Sequence, residues 1–350
     1  MALRRRTLLT AAAGATALPR FAIGQGLPEL QTMRSTSKSW LWAAEDYANA
    51  AGLFAKAQVK VVSNASNRGT NIAALGGSGV DIVLGDPGEA IRARGQGFPV
   101  RTFVGTVNKY ASHVVLRKPV MAQAGVTEAS PVSEKIAALK GLRLGTTGPG
   151  AAPDAMFRWL AVQGKLDPNT DMRLVVIQGG GPGMIAGLQQ NVIDGFCLSS
   201  PTSDLAVLQA DCGYLFNMVL NPPPQLSEYL YIVASASESS LRNAAKREAL
   251  VRYSHGIGLA LAAIENDRAG LRSWADKWFE GLPAAIADVS FDINSRIFFQ
   301  DPVPRPDLFQ QNLDFINTVN RTMAADPVPA AVSFESMFDP SVAREGVARL

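Results

Sequence analysis

The stretch GLRLGTTGPGAAPDAMFRWLAVQG, residues 141–164, contains the local pattern from which the fold is predicted. A short apolar segment typical of a strand leads into a glycine-rich turn, and an amphipathic segment typical of a helix follows. In open α/β sheets, ligands bind where strands end and helices begin. The glycines therefore serve either the turn alone or an open helix start that holds a ligand.

The same order of elements recurs along most of the chain. Short apolar strands alternate with amphipathic helices from residue 29 to residue 235, which predicts an α/β fold with largely parallel sheets. Two stretches, IAALGGSGVDIVLGDPGEAI at 72–91 and IAGLQQNVIDGFCLSSPTSDL at 185–205, share one pattern of helix, apolar strand, and polar turn with proline. This repeat indicates two similar lobes, and NPPPQ at 221–225 indicates a crossing or hinge.

The N-terminus reads as a targeting segment. RRRTLL is followed by the apolar run LLTAAAGATAL and by small residues, which predicts an export signal over residues 1–24. The paired arginines favour the twin-arginine type over a general secretory signal. Removing the four arginines of this segment leaves 29 basic against 30 acidic residues, so the charge gives no case for a nucleic-acid partner. We expect a soluble periplasmic protein.

Polar turns at strand ends supply the candidate ligand contacts. Free N–H groups at helix starts, with hydroxyls beside them, suit an anion or a carbonyl, although the same residue types also cap helices. Trp40 either stacks on a flat ligand or packs in the core. Asp86 either binds a ligand donor or caps a helix. Arg68 either pairs with a ligand carboxylate or sulfonate or lies in solvent.

The sequence gives little support for catalysis. His113 and His255 are the only histidines and lie in unlike contexts, and no nucleophile–base pair or metal-ligand motif is visible. Cys197 and Cys212 are the only cysteines, and we expect two buried free thiols rather than a disulfide. No cofactor and no metal are expected, and the chain is not expected to be an enzyme.

Three stretches carry a resemblance to a known family: AAEDYANAAGLFAKAQVKVV (43–62), ALGGSGVDIVLGDPGEAIRARGQGFPV (74–100), and the segment from LKGLRLGTTGPG through AGLQQNVIDGF to SDLAV (139–207). They resemble the solute-binding proteins of ABC importers of the nitrate/sulfonate/taurine type, which share a fold with the thiamine-pyrimidine synthases. The synthase branch uses a cysteine-rich motif that this chain lacks. STSKSW at 35–40 departs from the first motif of the family, which leaves the ligand undetermined.

The resemblance implies a type II periplasmic-binding-protein architecture with two α/β lobes and a ligand cleft between them. Lobe I is expected over residues 25–109 and 228–350, and lobe II over residues 110–227. The implied function is the capture of a small organic anion or a nitrogen or sulfur compound by a monomer that works with permease and ATPase subunits. The alternatives are a ligand-presenting sensor subunit and an enzyme on the same scaffold. With Arg68, the expected ligand contacts are Ser37, Trp40, Asp86, Thr146, Thr147, Gly148, Gly180, Ser199, Ser200 and Thr202.

Overall fold

Two five-stranded sheets form the framework of the computed structural model, which describes residues 26–36, 38–66, 72–77 and 79–350. The strands are β1 (Glu29–Arg34), β2 (Lys60–Ala65), β3 (Ile82–Gly85), β4 (Val100–Val107), β5 (Ser112–Arg117), β6 (Arg143–Thr146), β7 (Arg173–Val176), β8 (Gly195–Ser199), β9 (Cys212–Phe216) and β10 (Ile232–Ser237). The first sheet has the order β2-β1-β3-β10-β4, and the second has the order β7-β6-β8-β5-β9.

Both sheets have the same topology. Within each sheet four strands run in one direction, and the fifth, β10 or β5, pairs antiparallel with both of its neighbours. The antiparallel strand of each sheet is the one beside the crossing from the other sheet: β5 follows β4 after residues 108–111, and β10 follows β9 after residues 217–231. The expectation of two similar α/β lobes is confirmed, and each sheet is parallel except for its one antiparallel strand.

Fifteen helices are assigned within the described residues. They are α1 (Ala43–Ala50), α2 (Leu53–Lys56), α3 (Pro87–Gly95), α4 (Lys118–Ala124), α5 (Val132–Ala137), α6 (Ala152–Gln163), α7 (Gly180–Gln189), α8 (Thr202–Gln209), α9 (Glu238–Arg242), α10 (Ala244–Asn266), α11 (Arg268–Trp278), α12 (Ala284–Asn294), α13 (Pro306–Thr322), α14 (Phe334–Met337) and α15 (Pro340–Val347). We call the first sheet with its helices the first lobe, and the second sheet with its helices the second lobe.

Three elements differ from those that the sequence pattern predicts. WLWAAEDYANAAG at 40–52 and TNIAALGG at 70–77 are typical of helices, but the first begins as a 3₁₀ turn at Trp40–Trp42 and the second contains a 3₁₀ turn at Ile72–Gly76. YLFNMVL at 214–220 is typical of a strand, but the strand is Cys212–Phe216. Its end has a local cause, since the Asn217 side chain accepts hydrogen bonds from the backbone N–H groups of Val219 and Leu220 and turns the chain.

The long helix α10 lies at the centre of the C-terminal part of the first lobe. It packs against α1, α2 and α15, and Phe54 of α2 stacks on Tyr253 with ring centroids 5.3 Å apart. Gly346 permits the close approach of α15, because a Cβ there would lie 2.8 Å from the His255 backbone nitrogen. Within the described part of the chain, no helix combines the length and apolar character needed to span a membrane. The expected signal over residues 1–24 lies outside that part.

Candidate ligand cleft

The two lobes meet where strand ends carry polar residues. Ser39, which follows β1, lies with its Oγ 3.2 Å from the Oγ of Ser199 at the end of β8. The same Ser39 hydroxyl is 3.4 Å from the carbonyl oxygen of Ser200. Predicted contacts Ser199 and Ser200 therefore face the first lobe across the junction. Ser37, two residues before this contact, and Arg68 lie outside the described residues.

A second contact joins the last turn of α3 in the first lobe to the turn before α6 in the second lobe. The Arg92 guanidinium of α3 donates a hydrogen bond to the carbonyl oxygen of Gly150, in the turn before α6, at 3.4 Å. Gly148 has φ +155° and Gly150 has φ +73°, and L-residues rarely adopt this region. One role of these two glycines is therefore to permit the conformation of the turn. The turn also places its backbone against the other lobe.

The start of α6 already has a carboxylate of its own chain beside it. Gly150 donates its N–H to Asp154 Oδ2 at 2.9 Å, and Arg158 Nε donates to the same oxygen at 2.8 Å. A bound anion at this helix start would lie near the Asp154 charge. Thr146 is buried and its hydroxyl has no hydrogen-bond partner within the described residues, whereas Thr147 is exposed. Anion binding at the start of α6 therefore stays a prediction.

Asp86 caps α3. Its Oδ1 accepts the backbone N–H of Gly88 at 2.7 Å, so the capping alternative is observed. Burial raises the pKa of the Asp86 carboxyl to about 6, and the nearby positive charge of Arg92 opposes the rise. The side chain therefore changes its charge close to neutral pH, at the edge of the cleft.

Trp40 packs in the core, so the packing alternative is the one observed. It is 1% exposed and donates its Nε1–H to Ser290 Oγ of α12 at 2.7 Å. Its ring stacks on Phe279 at 5.3 Å, and the rings of Trp274 and Phe291 meet it edge-on. These partners cover the ring, so stacking on a ligand is not possible in this arrangement. Trp40 instead fixes the C-terminal helices against the residues after β1.

Gly180 and Thr202 lie at neighbouring helix starts in the second lobe. Gly180 is exposed, has φ +60°, and begins α7. A Cβ on the next residue, Gly181, would lie 2.4 Å from Thr202 Oγ1 at the start of α8. The glycine at 181 thus lets the two starts approach. Both predicted residues belong to the same edge of the second lobe.

Asp204 is a buried residue that the sequence reasoning missed. Its Oδ1 accepts hydrogen bonds from Ser200 Oγ at 3.1 Å and from the Tyr214 hydroxyl, and burial raises the pKa of its carboxyl. These bonds hold the Ser200 hydroxyl inside the second lobe, so only the carbonyl of Ser200 faces Ser39. The signal was present in the sequence, since Asp204 follows the turn LSSPT at helix-start spacing.

Helix α13, from far along the chain, covers one side of the junction. Its Phe315 stacks on Trp159 of α6 with ring centroids 5.7 Å apart, and its Thr322 carbonyl accepts a hydrogen bond from Asn169 at 2.9 Å. The other end of α13 is anchored in the first lobe, where Phe309 packs edge-on against Phe338 at 5.4 Å. The helix therefore bridges the lobes. No local sequence signal indicated this placement.

His113 and the two cysteines are enclosed in the core. His113 is fully buried, accepts the Met218 N–H at its Nδ1 at 3.1 Å, and burial lowers its pKa to about 3. Cys197 and Cys212 are buried free thiols, as expected, and burial raises the pKa of both. Within the described ranges, no three His, Cys, Asp or Glu side chains are grouped so that they could hold a metal ion.

Solved structures share this architecture. The alkanesulfonate-binding protein SsuA from Xanthomonas axonopodis pv. citri, bound to MOPS, is 12% identical with a TM-score of 0.68, covering 89% of this chain and 99% of that chain. The periplasmic nitrate-binding protein NrtA from Synechocystis PCC 6803 is 15% identical with a TM-score of 0.67, covering 93% and 89%. The desulfurization enzyme DSZB is 14% identical with a TM-score of 0.62, covering 92% and 99%.

These similarities establish the class: the chain has the periplasmic-binding-protein fold. Residues 46–219 match the NMT1-like family, which covers β2 to β9 and both sides of the cleft. No curated protein matches the chain. The resemblance is confirmed at the level of the fold, which this chain shares with the nitrate- and sulfonate-binding proteins. Since the neighbours include an enzyme as well as binding proteins, the fold alone does not assign the activity.

Proposed function

We propose that this chain is the extracytoplasmic solute-binding subunit of an ABC importer and captures a small organic anion or a nitrogen or sulfur compound between its lobes. The observation that supports this most is the junction itself, where Ser39 meets Ser199 and Arg92 meets Gly150. The first contact lies between Ser39 after β1 and Ser199 at the end of β8, and the second lies between the last turn of α3 and the turn before α6. A ligand that touches both edges favours closure, because only the closed form offers both sets of contacts.

The proposal includes the organisation predicted from the sequence. Lobe I comprises residues 25–109 and 228–350, lobe II comprises residues 110–227, and residues 1–24 direct export to the periplasm. The mature chain is a monomer that passes its ligand to permease and ATPase subunits. A structural neighbour described as the ligand-binding component of an ABC-type import system supports the partner subunits. The proposed ligand contacts are those expected from the sequence except Trp40, whose ring is covered: Ser37, Arg68, Asp86, Thr146, Thr147, Gly148, Gly180, Ser199, Ser200 and Thr202.

The arrangement of the buried groups favours binding over catalysis. His113 is neutral and enclosed, and the two thiols are buried. A catalytic role would need a nucleophile or base at the cleft. At the junction, the Ser39 and Ser199 hydroxyls lie against each other rather than against a base, and the Asp86 carboxylate caps α3.

Small-angle X-ray scattering with a ligand found by screening tests the proposal. Native mass spectrometry of the purified chain against a library of small acids, sulfonates and neutral compounds identifies the ligand. The radius of gyration is expected to fall when the saturating ligand is added. A confirmed ligand without compaction would contradict capture between the lobes, and turnover of the ligand into a new compound would contradict a binding role.

A further inference from the structure

A small cavity lies between α3, α6 and α13. Asp86 and Arg92 line its polar side, and Tyr110, Phe315, Ile316 and Val319 line its apolar side. In this arrangement the cavity has room for little more than one water molecule. A ligand in this place therefore requires the lobes, or α13, to move apart and close again around it.

Arg92 is short of hydrogen-bond acceptors. A guanidinium carries five N–H donors, yet in the described part of the chain the one hydrogen bond of Arg92 is its 3.4 Å contact to Gly150 O. No carboxylate of the described residues forms an ion pair with it, although the charge of Asp86 lies near enough to interact. A partly buried guanidinium with one weak partner offers a place for an acidic group, which it binds through two parallel hydrogen bonds.

The opposite wall lies in the other lobe. Gly150 and Ala152, at the start of α6, line the same cavity. The hydroxyl of Thr146 is buried without a partner in the described residues, at the end of the strand that leads into this turn. An acidic group bound to Arg92 would replace Gly150 O as its partner and would also touch the second lobe. Such a bridging contact couples recognition to closure.

The third wall is apolar and belongs to α13. Ile316 lies against α3, since a Cβ on Gly88 would be 3.4 Å from its Cδ1, and Phe315 lies against Trp159 of α6. Val319 lies one helical turn after Phe315 and lines the same side. An inorganic oxyanion would leave this wall without a partner. A ligand with an apolar body would bury it.

We propose that Arg92 recognises the acidic group of the ligand and that Phe315, Ile316 and Val319 contact its apolar body, so that the ligand is an organic carboxylate or sulfonate. This inference rests on the proposed function, because it specifies the ligand class of the same cleft. Arg92 was absent from the contacts expected from the sequence. Arg92 is the cation that binds the negative charge of the ligand. The apolar side chains of α13 disfavour ions that have no apolar part.

Calorimetric titration with matched acids and amides tests this inference. The probes are benzoate and benzamide, propanesulfonate and propanesulfonamide, and sodium nitrate, each titrated into the mature wild-type chain and into Arg92→Gln. At least one acid is expected to bind more tightly than its amide and than nitrate, and Arg92→Gln is expected to weaken that acid about 10- to 100-fold. Arg173→Gln, which removes an exposed arginine of β7, is the control for net charge and should leave the affinity unchanged.

The outcomes separate this inference from the proposed function. Equal binding of acid and amide, equal or tighter binding of nitrate, or full affinity in Arg92→Gln would overturn the inference, while capture of a small molecule would still stand. If no probe binds the wild type, the inference fails, and the proposed function fails only if the wider library also yields no ligand. Thermal melting checks that the variants fold, and Arg92→Lys, which keeps the charge without the planar fork, should give an intermediate affinity.

Discussion

Replacing Phe315 by leucine removes one aromatic contact across the lobes while keeping an apolar side chain. Phe315 is 6% exposed and stacks on Trp159 of α6 at 5.7 Å with an interplanar angle of 23°. Its other aromatic neighbours are Tyr110 at 5.8 Å and Tyr229 at 5.6 Å. The stack with Trp159 joins α13 to the second lobe, so its loss should favour the open form.

The size of the effect follows from that single pair. A stacked aromatic pair contributes about 0.5–1.5 kcal/mol beyond the area it buries. If opening separates Phe315 from Trp159, this loss lowers the ratio of closed to open molecules by about 2- to 13-fold. The total loss of stability will be larger, because leucine also fills less of the space between Tyr110 and Tyr229.

A double-mutant cycle isolates the pair. The variants Phe315→Leu, Trp159→Leu and the double variant are compared with the wild type by urea unfolding and by single-molecule energy transfer. Labels at Lys56→Cys in α2 and Gln123→Cys in α4 report the separation of the lobes, since both positions are exposed and the native cysteines are buried. The coupling energy should appear both in the stability and in the closed fraction.

One result would refute this reasoning directly. If the cycle shows coupling in urea while the distribution of lobe separations is unchanged, α13 moves together with the second lobe and the stack does not contribute to closure. A coupling energy below about 0.3 kcal/mol would show instead that the two rings do not stabilise each other.

Three further predictions follow from single contacts. Because the pKa of Asp86 is about 6, its carboxylate should repel an acid bound at Arg92 above that pH, so propanesulfonate affinity should rise severalfold as the pH falls from about 7 to about 5. The affinity of Asp86→Asn should not depend on pH over this range, and a wild-type affinity that is equally independent of pH would contradict the repulsion by Asp86. Gly195→Ala should lower the free energy of unfolding in urea by about 1–3 kcal/mol or more, because its Cβ would lie 2.3 Å from the Val115 carbonyl oxygen. Gly79→Ala, whose Cβ would have nothing within 4 Å, should leave that free energy almost unchanged, and equal stabilities of the two variants would show that β8 can shift. Cys197 and Cys212 should resist Ellman's reagent in the native chain and release two thiol equivalents in urea; no thiols in urea would indicate a disulfide.

Much of the cleft's local chemistry could be predicted from the sequence. The alternation of strands and helices gives both sheets, and the repeated pattern places β3 and β8 at the same position of each. Asp86 before Pro87 indicates a helix cap, and that cap is observed. The glycines at 148 and 150 indicate a turn with positive φ, which is also observed. These features depend on a few neighbouring residues, so their signals are contained in the sequence beside them.

Only the tertiary structure decided which of these residues can meet a ligand. Trp40 is enclosed by side chains more than 230 positions away, and Phe315 reaches Trp159 across more than 150 positions. The antiparallel placement of β10 in the first sheet and of β5 in the second likewise depends on pairings between strands distant in the sequence. Such contacts are chosen by the packing of whole elements, since an amphipathic helix such as α13 specifies that one face is buried but not the partner against which it is buried.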